Sequence, residues 1–381
     1  MNNFQFQNPT RIIFGKDQIL NLGSMISKDL KIMITLGGGS VKKNGVYDQV
    51  VEALKDHNYI EFWGIEPNPT VETLREAIAL GKAEGVDFIL AVGGGSVVDG
   101  TKLVASAIPS EADAWDIVLG KAPIENMLPF ASIITLPATG SEMNMGAVIS
   151  NTATAEKYAF YSAHPKFSIL DPQVTYTLPQ YQVACGITDT FIHTLEQYLT
   201  ATGVSPLMDR WSEGILQTLV EIAPNITEES RSYDDMANYM LCATMALNGF
   251  TSMGVAQDWA THMIGHEITA LTGLTHGHTL SIIMPAVMSV MREQKGAKIL
   301  QLGERVFGIS EGTAEERIDA TIAATEAFFR SLGLKTRLSE NSIGEDIAAQ
   351  VVVRFKERGT RLGEAQNINY EVVEKILAVA K

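Results

Sequence analysis

The sequence contains few cysteines and no long apolar segment. Its two cysteines, Cys185 and Cys242, form no Cys-x-x-Cys pair, so no disulfide framework is predicted and a reducing, cytoplasmic environment is expected. No run of about 18 apolar residues is present, which predicts that no segment spans a membrane. The opening residues, MNNFQFQNPTR, lack the basic and apolar regions of a secretory signal, so none is expected.

Positive charge is scarce as well. The chain has 29 lysines and arginines against 44 aspartates and glutamates, which gives a net charge of −15. This balance predicts no nucleic-acid partner and no attraction to an anionic membrane surface. An anionic ligand must therefore be bound by a local arrangement of donors. A length of 381 residues with a hydrophobic content of 46% fits a globular protein of two domains.

Strands and helices alternate in the first half of the chain. Amphipathic helical segments, at 70–84 and 97–107, separate short β-branched runs. The runs that predict strands are KIMITL (31–36), DFILAV (87–92), ASIITL (131–136) and FSIL (167–170). This alternation predicts a parallel sheet with helices on both faces. Ligands of such sheets bind outside the carboxyl ends of the strands.

The pattern changes after LDPQVTYTLP (170–179), where clear strand signals end. Helical periodicity predicts helices at 180–200, 207–222, 233–248, 254–271, 278–292, 314–332 and 366–380. The sequence therefore predicts an α/β domain at 1–178 and an all-helical domain at 179–381.

Two near copies of a glycine turn follow two of the predicted strands. LGGGSVKK spans 36–43 and VGGGSVVD spans 92–99, while a third turn, LPATGSE (136–142), follows another strand. None matches the usual Gly-x-Gly-x-x-Gly fingerprint, and either turn alone also fits a simple strand–helix connection. Such turns let backbone N–H groups approach a phosphate. Three of them at strand ends predict an extended ligand such as a dinucleotide.

The two glycine turns differ in charge. The first consists of Gly37, Gly38, Gly39 and Ser40, followed by Lys42 and Lys43, and it has no acid. A carboxylate commonly binds the ribose 2′-hydroxyl of NAD, whereas an NADP site has basic or small polar groups there. We therefore expect the first turn to receive the adenosine end with its 2′-phosphate, and the turn ending at Asp99 to receive the pyrophosphate. The alternative is that both lysines are merely solvated at a helix start.

Histidines are concentrated in the helical half, in a pattern that favours a metal. Asp189 and His193 are four residues apart in DTFIHTLEQY, and His262 and His266 are four apart in HMIGHE. Residues at this spacing share one face of a helix. Asp and neutral imidazole together suit Zn²⁺ or Fe²⁺. Position 263 is Met, so the His-Glu-x-x-His motif of zinc proteases is absent.

Two further histidines, His276 and His278, follow the helix-breaking residues at 272–273 and are expected in a loop. Spacing alone does not decide which of the four histidines after residue 260 is not a ligand. Glu196 and Glu267 flank the histidine pairs, either as outer partners of the ligands or on solvated helix faces.

GGGSVVD, TLPATGSE, DTFIHTLEQY and HMIGHE…GLTHGH, in this order, resemble the iron-containing, or group III, alcohol dehydrogenase family. The resemblance covers essentially the whole chain and is strongest to the butanol dehydrogenase and NADPH-dependent aldehyde reductase branch. It implies a Rossmann-like α/β N-terminal domain and an all-α C-terminal domain, the dehydroquinate synthase-like fold, with the site in the cleft between them. It also implies a homodimer joined through an N-terminal strand within residues 1–15.

The resemblance further implies roles for individual residues. The metal ligands would be Asp189, His193, His262 and His276. His266 would lie near the nicotinamide and relay a proton. Besides the first turn, the cofactor-binding positions would be Asn68, Gly94, Gly95, Ser96, Asp99, Thr135, Thr139, Ser141, Lys157 and Leu178. The departure is His278, an additional polar group for the substrate pocket.

The implied activity is reversible hydride transfer between NADP(H), with NAD(H) as the alternative cofactor, and a butanol-like alcohol or its aldehyde. One Fe²⁺ or Zn²⁺ ion would assist it. A polyol dehydrogenase of the same superfamily is the first rival, and the fourth ligand, His193, argues against it. A non-catalytic metal-bearing interaction protein is the second, although the ligand set is complete. A metal-dependent hydrolase is the third, and it leaves the glycine turns unexplained.

Overall fold

The structure, a computed structural model, describes residues 1–200, 205–226 and 229–381. These residues form two compact units. The sheet unit consists of Gln7–Leu178 and Arg231–Thr244, and the helical unit consists of Met1–Phe6, Pro179–Ser230 and Met245–Lys381. A domain boundary after residue 178 stays a prediction, and each unit also takes in a segment from the other side of that position.

A six-stranded parallel sheet forms the centre of the sheet unit. Its strands are β1 (Arg11–Phe14), β2 (Lys31–Leu36), β3 (Asn58–Phe62), β4 (Phe88–Gly93), β5 (Phe130–Ile134) and β8 (Phe167–Leu170), and an antiparallel hairpin adds β6 (Gly146–Asn151) and β7 (Glu156–Tyr161). The strand order in the sheet is β1-β8-β5-β4-β2-β3. The predicted parallel sheet is confirmed. Its four central strands are mainly apolar and almost completely buried because helices cover both faces.

Helices connect the strands of this sheet and cover it with two apolar clusters. They are α1 (Ser40–Lys43), α2 (Val46–Ala53), α3 (Val71–Glu84), α4 (Gly95–Ala107) and α5 (Ala114–Val118). The helix α8 (Tyr233–Ala246) comes from much later in the chain, and most of it belongs to the sheet unit. Its Tyr239 hydroxyl donates to the carbonyl of Pro137, beside the third predicted turn.

Within the described part of 179–381, all regular secondary structure is helical, as predicted. Besides α8, the helices are α6 (Gln180–Tyr198), α7 (Pro206–Ile222), α9 (Ala260–Thr272), α10 (His276–Val290), α11 (Arg292–Val306), α12 (Ala314–Ser331), α13 (Glu345–Arg358) and α14 (Tyr370–Val379). None of the described helices is long and apolar enough to cross a bilayer. An apolar cluster formed mainly by α9, α10, α13 and α14 forms a hydrophobic core within this unit.

The expectation of a loop at His276 and His278 is wrong. Gly273, with φ of 73°, ends α9 in the left-handed conformation, as the Thr-Gly pair predicted. The chain then enters α10 at His276 after only two more residues, with Thr275 at the N-cap position. The glycine therefore marks the junction of two helices, and both histidines lie in the first turn of the second.

Candidate functional site

The helix α6 presents two of the predicted metal ligands on one buried face. Every residue from Val183 to Tyr198 is buried, so this face is closed to bulk solvent. Asp189 and His193 are one turn apart, and His193 Nε2 lies 3.6 Å from Asp189 Oδ1. A carboxylate and an imidazole in this position are costly to bury unless each is paired with an opposite charge, a hydrogen-bond partner or a metal ion.

Two other helices bring further imidazoles to the same carboxylate oxygen. His262 Nε2 of α9 lies 3.6 Å from Asp189 Oδ1, and His276 Nε2 of α10 lies 3.9 Å from it. The potential ligand atoms of these three residues all lie within 4.8 Å of one another. The His193 ring stacks on the His262 ring, with 4.6 Å between centroids. The four predicted ligands therefore converge.

The residues present fit a divalent cation. Asp189 Oδ1 and His262 Nε2 are buried and have no hydrogen-bond partner in the part of the chain that the structure describes. Burial by itself lowers the pKa of His262, but its interactions with Asp189 and Glu196 outweigh this and raise the pKa to about 9. The cluster thus favours positive charge at this point, which a proton supplies when no metal does. Three nitrogens and one oxygen are donors that suit Zn²⁺ and Fe²⁺.

A close contact between two helices makes this convergence possible. Gly277 follows His276, and a Cβ atom there would lie 2.2 Å from the carbonyl oxygen of Cys185 in α6. At the start of α9, Trp259 adopts φ of 63°, which is uncommon for a bulky residue. This conformation accompanies edge-to-face contacts of its indole with the His193 and His262 rings.

The remaining histidines of this region have different surroundings. His266 is buried beside the ligands, with its ring centroid 4.8 Å from that of His276 and 6.5 Å from that of His262. His278 is held at both ring nitrogens, by the Tyr181 hydroxyl at 3.0 Å from Nδ1 and the Lys335 carbonyl oxygen at 3.0 Å from Nε2. His278 therefore fixes the start of α10 instead of supplying an unoccupied polar group for substrate.

The second glycine turn and the third turn are in contact within the sheet unit. Strand β4 ends at Gly93, whose carbonyl accepts from Thr135 N at 2.9 Å. Gly94 is the N-cap of α4, and a Cβ on Gly95 would lie 2.3 Å from Thr139 Oγ1. The structure thus brings together the glycines, Thr135 and Thr139 that were predicted to contact the cofactor. The backbone N–H groups at the start of a 13-residue helix favour an anion there.

Asp99 lies beneath this turn, and both of its carboxylate oxygens accept hydrogen bonds from the protein. Ser141 Oγ donates to Asp99 Oδ1 at 2.5 Å, and Val148 N donates to Oδ2 at 2.9 Å. Burial raises the pKa of its carboxyl, although Lys102 and Ser141 oppose the rise. Asp99 therefore holds the Ser141 loop in place from inside.

Sequence reasoning missed Lys102, which completes this network. Its side chain is 0% exposed, and Nζ donates to Ser141 Oγ (2.7 Å), Asn144 Oδ1 (3.0 Å) and the Gly146 carbonyl (2.6 Å). These acceptors match the three N–H groups of an ammonium. The available signal was a lysine three residues after Asp99, in a predicted helix that is rich in apolar residues.

A chain of hydrogen bonds joins three of the residues predicted to bind the cofactor. Lys157 Nζ donates to Asn68 Oδ1 at 2.8 Å, and Asn68 N donates to Ser96 Oγ at 3.3 Å. Asn68 has φ of 57°. Elsewhere in the unit, the carbonyl of Leu178 accepts from Arg231 Nη1 at 2.5 Å, which fixes the turn that carries Leu178.

The first glycine turn leads into an aromatic and charged cluster. Gly38 and Gly39 face open space, and Gly39 has φ of 97°. The Lys42 ammonium lies 4.1 Å from the Trp63 ring centroid and 5.0 Å from that of Tyr47. Tyr47 Oη and Trp63 Nε1 donate to the two carboxylate oxygens of Glu61, at 2.8 and 2.7 Å. Sequence reasoning missed Glu61, whose strand, β3, was not predicted.

Comparison with known proteins supports the resemblance. Residues 9–172 match the family described as iron-containing alcohol dehydrogenase, and residues 183–380 match the C-terminal part of the Fe-containing alcohol dehydrogenase family. The chain is 50% identical to the NADPH-dependent aldehyde reductase YqhD of Escherichia coli over 100% of both chains. It is 39% identical to a probable NADH-dependent butanol dehydrogenase of Bacillus subtilis over 99% of both.

Solved structures agree with these sequence matches. The crystal structure of E. coli YqhD superimposes with a TM-score of 0.97 at 49% identity, over 100% of this chain and 99% of that one. A butanol dehydrogenase structure from Thermotoga maritima gives 0.95 at 37% identity, again over 100% and 99%. Together with the buried Asp and His cluster, these matches show that the chain belongs to the iron-containing alcohol dehydrogenase family, in the branch of aldehyde reductases and butanol dehydrogenases.

Proposed function

We propose that the chain catalyses reversible hydride transfer between NADP(H) and a short-chain primary alcohol or its aldehyde. The observation that carries the proposal is the buried donor set, in which three imidazole nitrogens lie 3.6 to 3.9 Å from Asp189 Oδ1. The full-length similarity to an NADPH-dependent aldehyde reductase supports the same reaction class.

Asp189, His193, His262 and His276 would hold one divalent cation, Fe²⁺ or Zn²⁺. When bound, the cation supplies Lewis acidity, which polarises a carbonyl group and favours negative charge on its oxygen. A bound dihydronicotinamide would supply the hydride that reduces the aldehyde carbon. A proton would then be needed to complete the hydroxyl group of the alcohol. We assign the transfer of this proton to His266, which is buried 4.8 Å from the His276 ring.

The sheet unit would bind the dinucleotide. Gly94, Gly95 and Ser96 would contact the diphosphate through backbone N–H and hydroxyl donors, with Thr135 and Thr139 beside them. Lys157, oriented by Asn68, would donate to a ribose hydroxyl. Ser141, held by Asp99, and Leu178, held by Arg231, complete the set that the family resemblance suggested.

The proposed preference for NADP over NAD depends on the first turn, Gly37–Ser40. Lys42 and Lys43 supply positive charge next to this turn. Glu61, the carboxylate associated with it, already accepts hydrogen bonds from Tyr47 and Trp63. A carboxylate so engaged is poorly placed to bind a ribose 2′-hydroxyl, whereas a 2′-phosphate would gain from the lysines.

The test is a turnover assay with purified protein stripped of metal by chelation. Butanal is supplied with NADPH or NADH, Zn²⁺ or Fe²⁺ is added back, and cofactor oxidation is followed by absorbance. We expect metal-dependent oxidation of NADPH in excess of NADH. Full turnover without metal would overturn the proposed role of the cation, and a preference for NADH would overturn the reading of the first turn. Activity with glycerol but not with butanal would favour the polyol dehydrogenase.

The homodimer and the cytoplasmic location belong to the same proposal. The dimer is suggested by the family resemblance, and the location by the two unpaired, buried cysteines. Size-exclusion chromatography with light scattering tests the dimer, and cell fractionation tests the location.

A further inference from the structure

Glu196 makes a double contact with one of the proposed metal ligands. Its Oε1 atom lies 3.0 Å from the backbone N of His262 and 3.2 Å from Nδ1 of the same residue. The carboxylate is 2% exposed, so water does not compete for these hydrogen bonds. Since a carboxylate oxygen accepts and does not donate, Nδ1 of His262 must carry the hydrogen.

This contact sets the direction in which the other ring nitrogen faces. With a proton on Nδ1, the lone pair of neutral imidazole is at Nε2. His262 Nε2 is the atom that lies 3.6 Å from Asp189 Oδ1 and has no hydrogen-bond partner among the described residues. In the neutral form of His262, which is the form that binds a metal, the Glu196 carboxylate therefore presents the electron pair of Nε2 to the place where the other donors converge.

Glu196 belongs to the same helix face as two of the ligands. Asp189, His193 and Glu196 occupy positions i, i+4 and i+7 of α6, which lie on one side of the helix. The first two residues contribute ligand atoms of their own, while the third orients a ligand that comes from α9. One helix thus determines the placement of three of the four donors.

A buried ion pair holds α9 where Glu196 can reach it. Lys295 Nζ donates to Asp258 Oδ2 and to the Leu199 carbonyl, both at 2.7 Å, and the side chains of the ion pair are each 2% exposed. Asp258 N in turn donates to the Glu196 carbonyl at 2.8 Å, and Asp258 Oδ1 accepts from Ala260 N at the start of α9. The end of α6 and the start of α9 are therefore joined beside His262.

We propose that Glu196 is a positioning residue for the metal centre, which fixes the His262 tautomer and ring orientation and strengthens the imidazole as a ligand. Carboxylates that accept from the second nitrogen of a ligating histidine act in this way in metal sites generally. The inference rests on the metal centre of the proposed function. It adds a residue that is not itself a ligand.

Glu267 offers a matched control. It is a buried glutamate adjacent to His266 in α9, but its oxygens accept from Arg354, at 3.0 Å, and Arg358. A Glu267→Gln variant loses a buried charge of the same type without removing a partner of a metal ligand. General destabilisation is thereby separated from loss of ligand orientation.

The experiment measures the affinity of apoprotein for Zn²⁺ by competition with a chromophoric chelator, in wild type, Glu196→Gln and Glu267→Gln. Circular dichroism and thermal unfolding establish that each variant is folded. We expect Glu196→Gln to bind Zn²⁺ about 10- to 100-fold more weakly, and Glu267→Gln to bind it as wild type does. Co²⁺ substituted for Zn²⁺ reports ligand geometry, so its visible spectrum should change in Glu196→Gln alone.

A second variant covers the case in which Glu196→Gln does not fold. Glu196→Asp keeps the charge but is one methylene shorter, so it should also weaken Zn²⁺ binding because it no longer reaches both donors of His262. Wild-type affinity and an unchanged Co²⁺ spectrum in a folded Glu196 variant would overturn the inference alone. A wild-type protein that binds neither Zn²⁺ nor Co²⁺ would overturn the metal centre, and the inference with it.

Discussion

At the scale of single residues, two histidines with equal burial have different surroundings. His262 Nε2 faces Asp189 and has no hydrogen-bond partner among the described residues, whereas both ring nitrogens of His278 are bonded within the helical unit. We expect His262→Ala to abolish stoichiometric Zn²⁺ binding and turnover together, because it removes one of four ligands. His278→Gln should retain bound Zn²⁺, since glutamine can still bond to its neighbours.

The measurement is metal content by mass spectrometry after dialysis, with turnover of the same samples. A His278→Gln variant that loses its metal as completely as His262→Ala would show that the ligand set is wrongly assigned.

Lys102 is a second residue whose environment gives a testable prediction. Burial lowers its pKa from 10.5 to about 8, although Asp99 and Glu142 oppose the shift. Because this folded-state pKa lies below the unfolded value, the unfolded chain binds more protons between pH 8 and 10. The Lys102 contribution to the free energy of unfolding therefore increases as pH rises through this range.

The check uses denaturant unfolding of wild type and Lys102→Met at several pH values. The stability difference in favour of wild type should grow from pH 8 to pH 10. Lys43→Met, at an exposed position, controls for effects of removing a lysine elsewhere. A difference that stays constant with pH would contradict a lowered pKa at Lys102.

Much of the candidate site was predictable from residue spacing, and the parts that were missed have a common cause. The spacing of four between Asp189 and His193, and between His262 and His266, identified helix faces directly, because helix geometry makes such residues neighbours. The roles of Lys102 and Glu61 depend on partners that lie 39 and 14 residues away in the sequence, Ser141 and Tyr47. No local pattern encodes those contacts.

At the scale of secondary structure elements, the approach of α10 to α6 decides whether the ligands meet. A Cβ on Gly277 would lie 2.2 Å from the Cys185 carbonyl oxygen, and backbone atoms cannot move aside as a flexible side chain can. We expect Gly277→Ala to separate the two helices, to cost about 1–3 kcal/mol of stability, and to weaken Zn²⁺ binding because His276 moves away from Asp189.

Gly214 in α7 is the matched control for this substitution. It also lies within a helix of this unit, but a Cβ there meets nothing within 4 Å. Gly214→Ala should leave Zn²⁺ affinity unchanged and stability equal or slightly higher, since alanine favours helix. Chelator competition and thermal unfolding of both variants test this, and wild-type Zn²⁺ affinity in Gly277→Ala would refute the close contact.

The helices and strands were predictable from the sequence where one whole face, or the whole element, is buried. Strands β2, β4, β5 and β8 are mainly apolar and almost completely buried, and they were identified to within a few residues. Strand β3 is half-exposed at the sheet edge and carries NYIEF, which has no clear apolar alternation. Helices α11 and α13 were missed because each buries only a narrow stripe, such as Val351 and Phe355, among charged residues.

At the scale of the whole molecule, the residues proposed to bind the metal and those proposed to bind the dinucleotide lie in different units. The proposed metal donors all belong to the helical unit, and the three turns at strand ends all belong to the sheet unit. A ligand that binds only the folded state stabilises it by about 2.7 kcal/mol when present at about 100 times its Kd. Such stabilisation slows hydrogen exchange in the elements that open when the ligand leaves.

Hydrogen exchange with mass spectrometry can therefore assign each ligand to its elements. Zn²⁺ should slow exchange in α6, α9 and the first turn of α10, by up to about 100-fold for amides that exchange only through opening of the site. NADPH should slow exchange around Gly37–Ser40 and at the start of α4, because these backbone N–H groups are the proposed phosphate donors. His262→Ala should remove the effect of Zn²⁺ and leave direct protection of the glycine turns by NADPH in place. Zn²⁺ protection that persists in His262→Ala, or NADPH protection that leaves both glycine turns unchanged, would show that the corresponding site lies elsewhere in the chain.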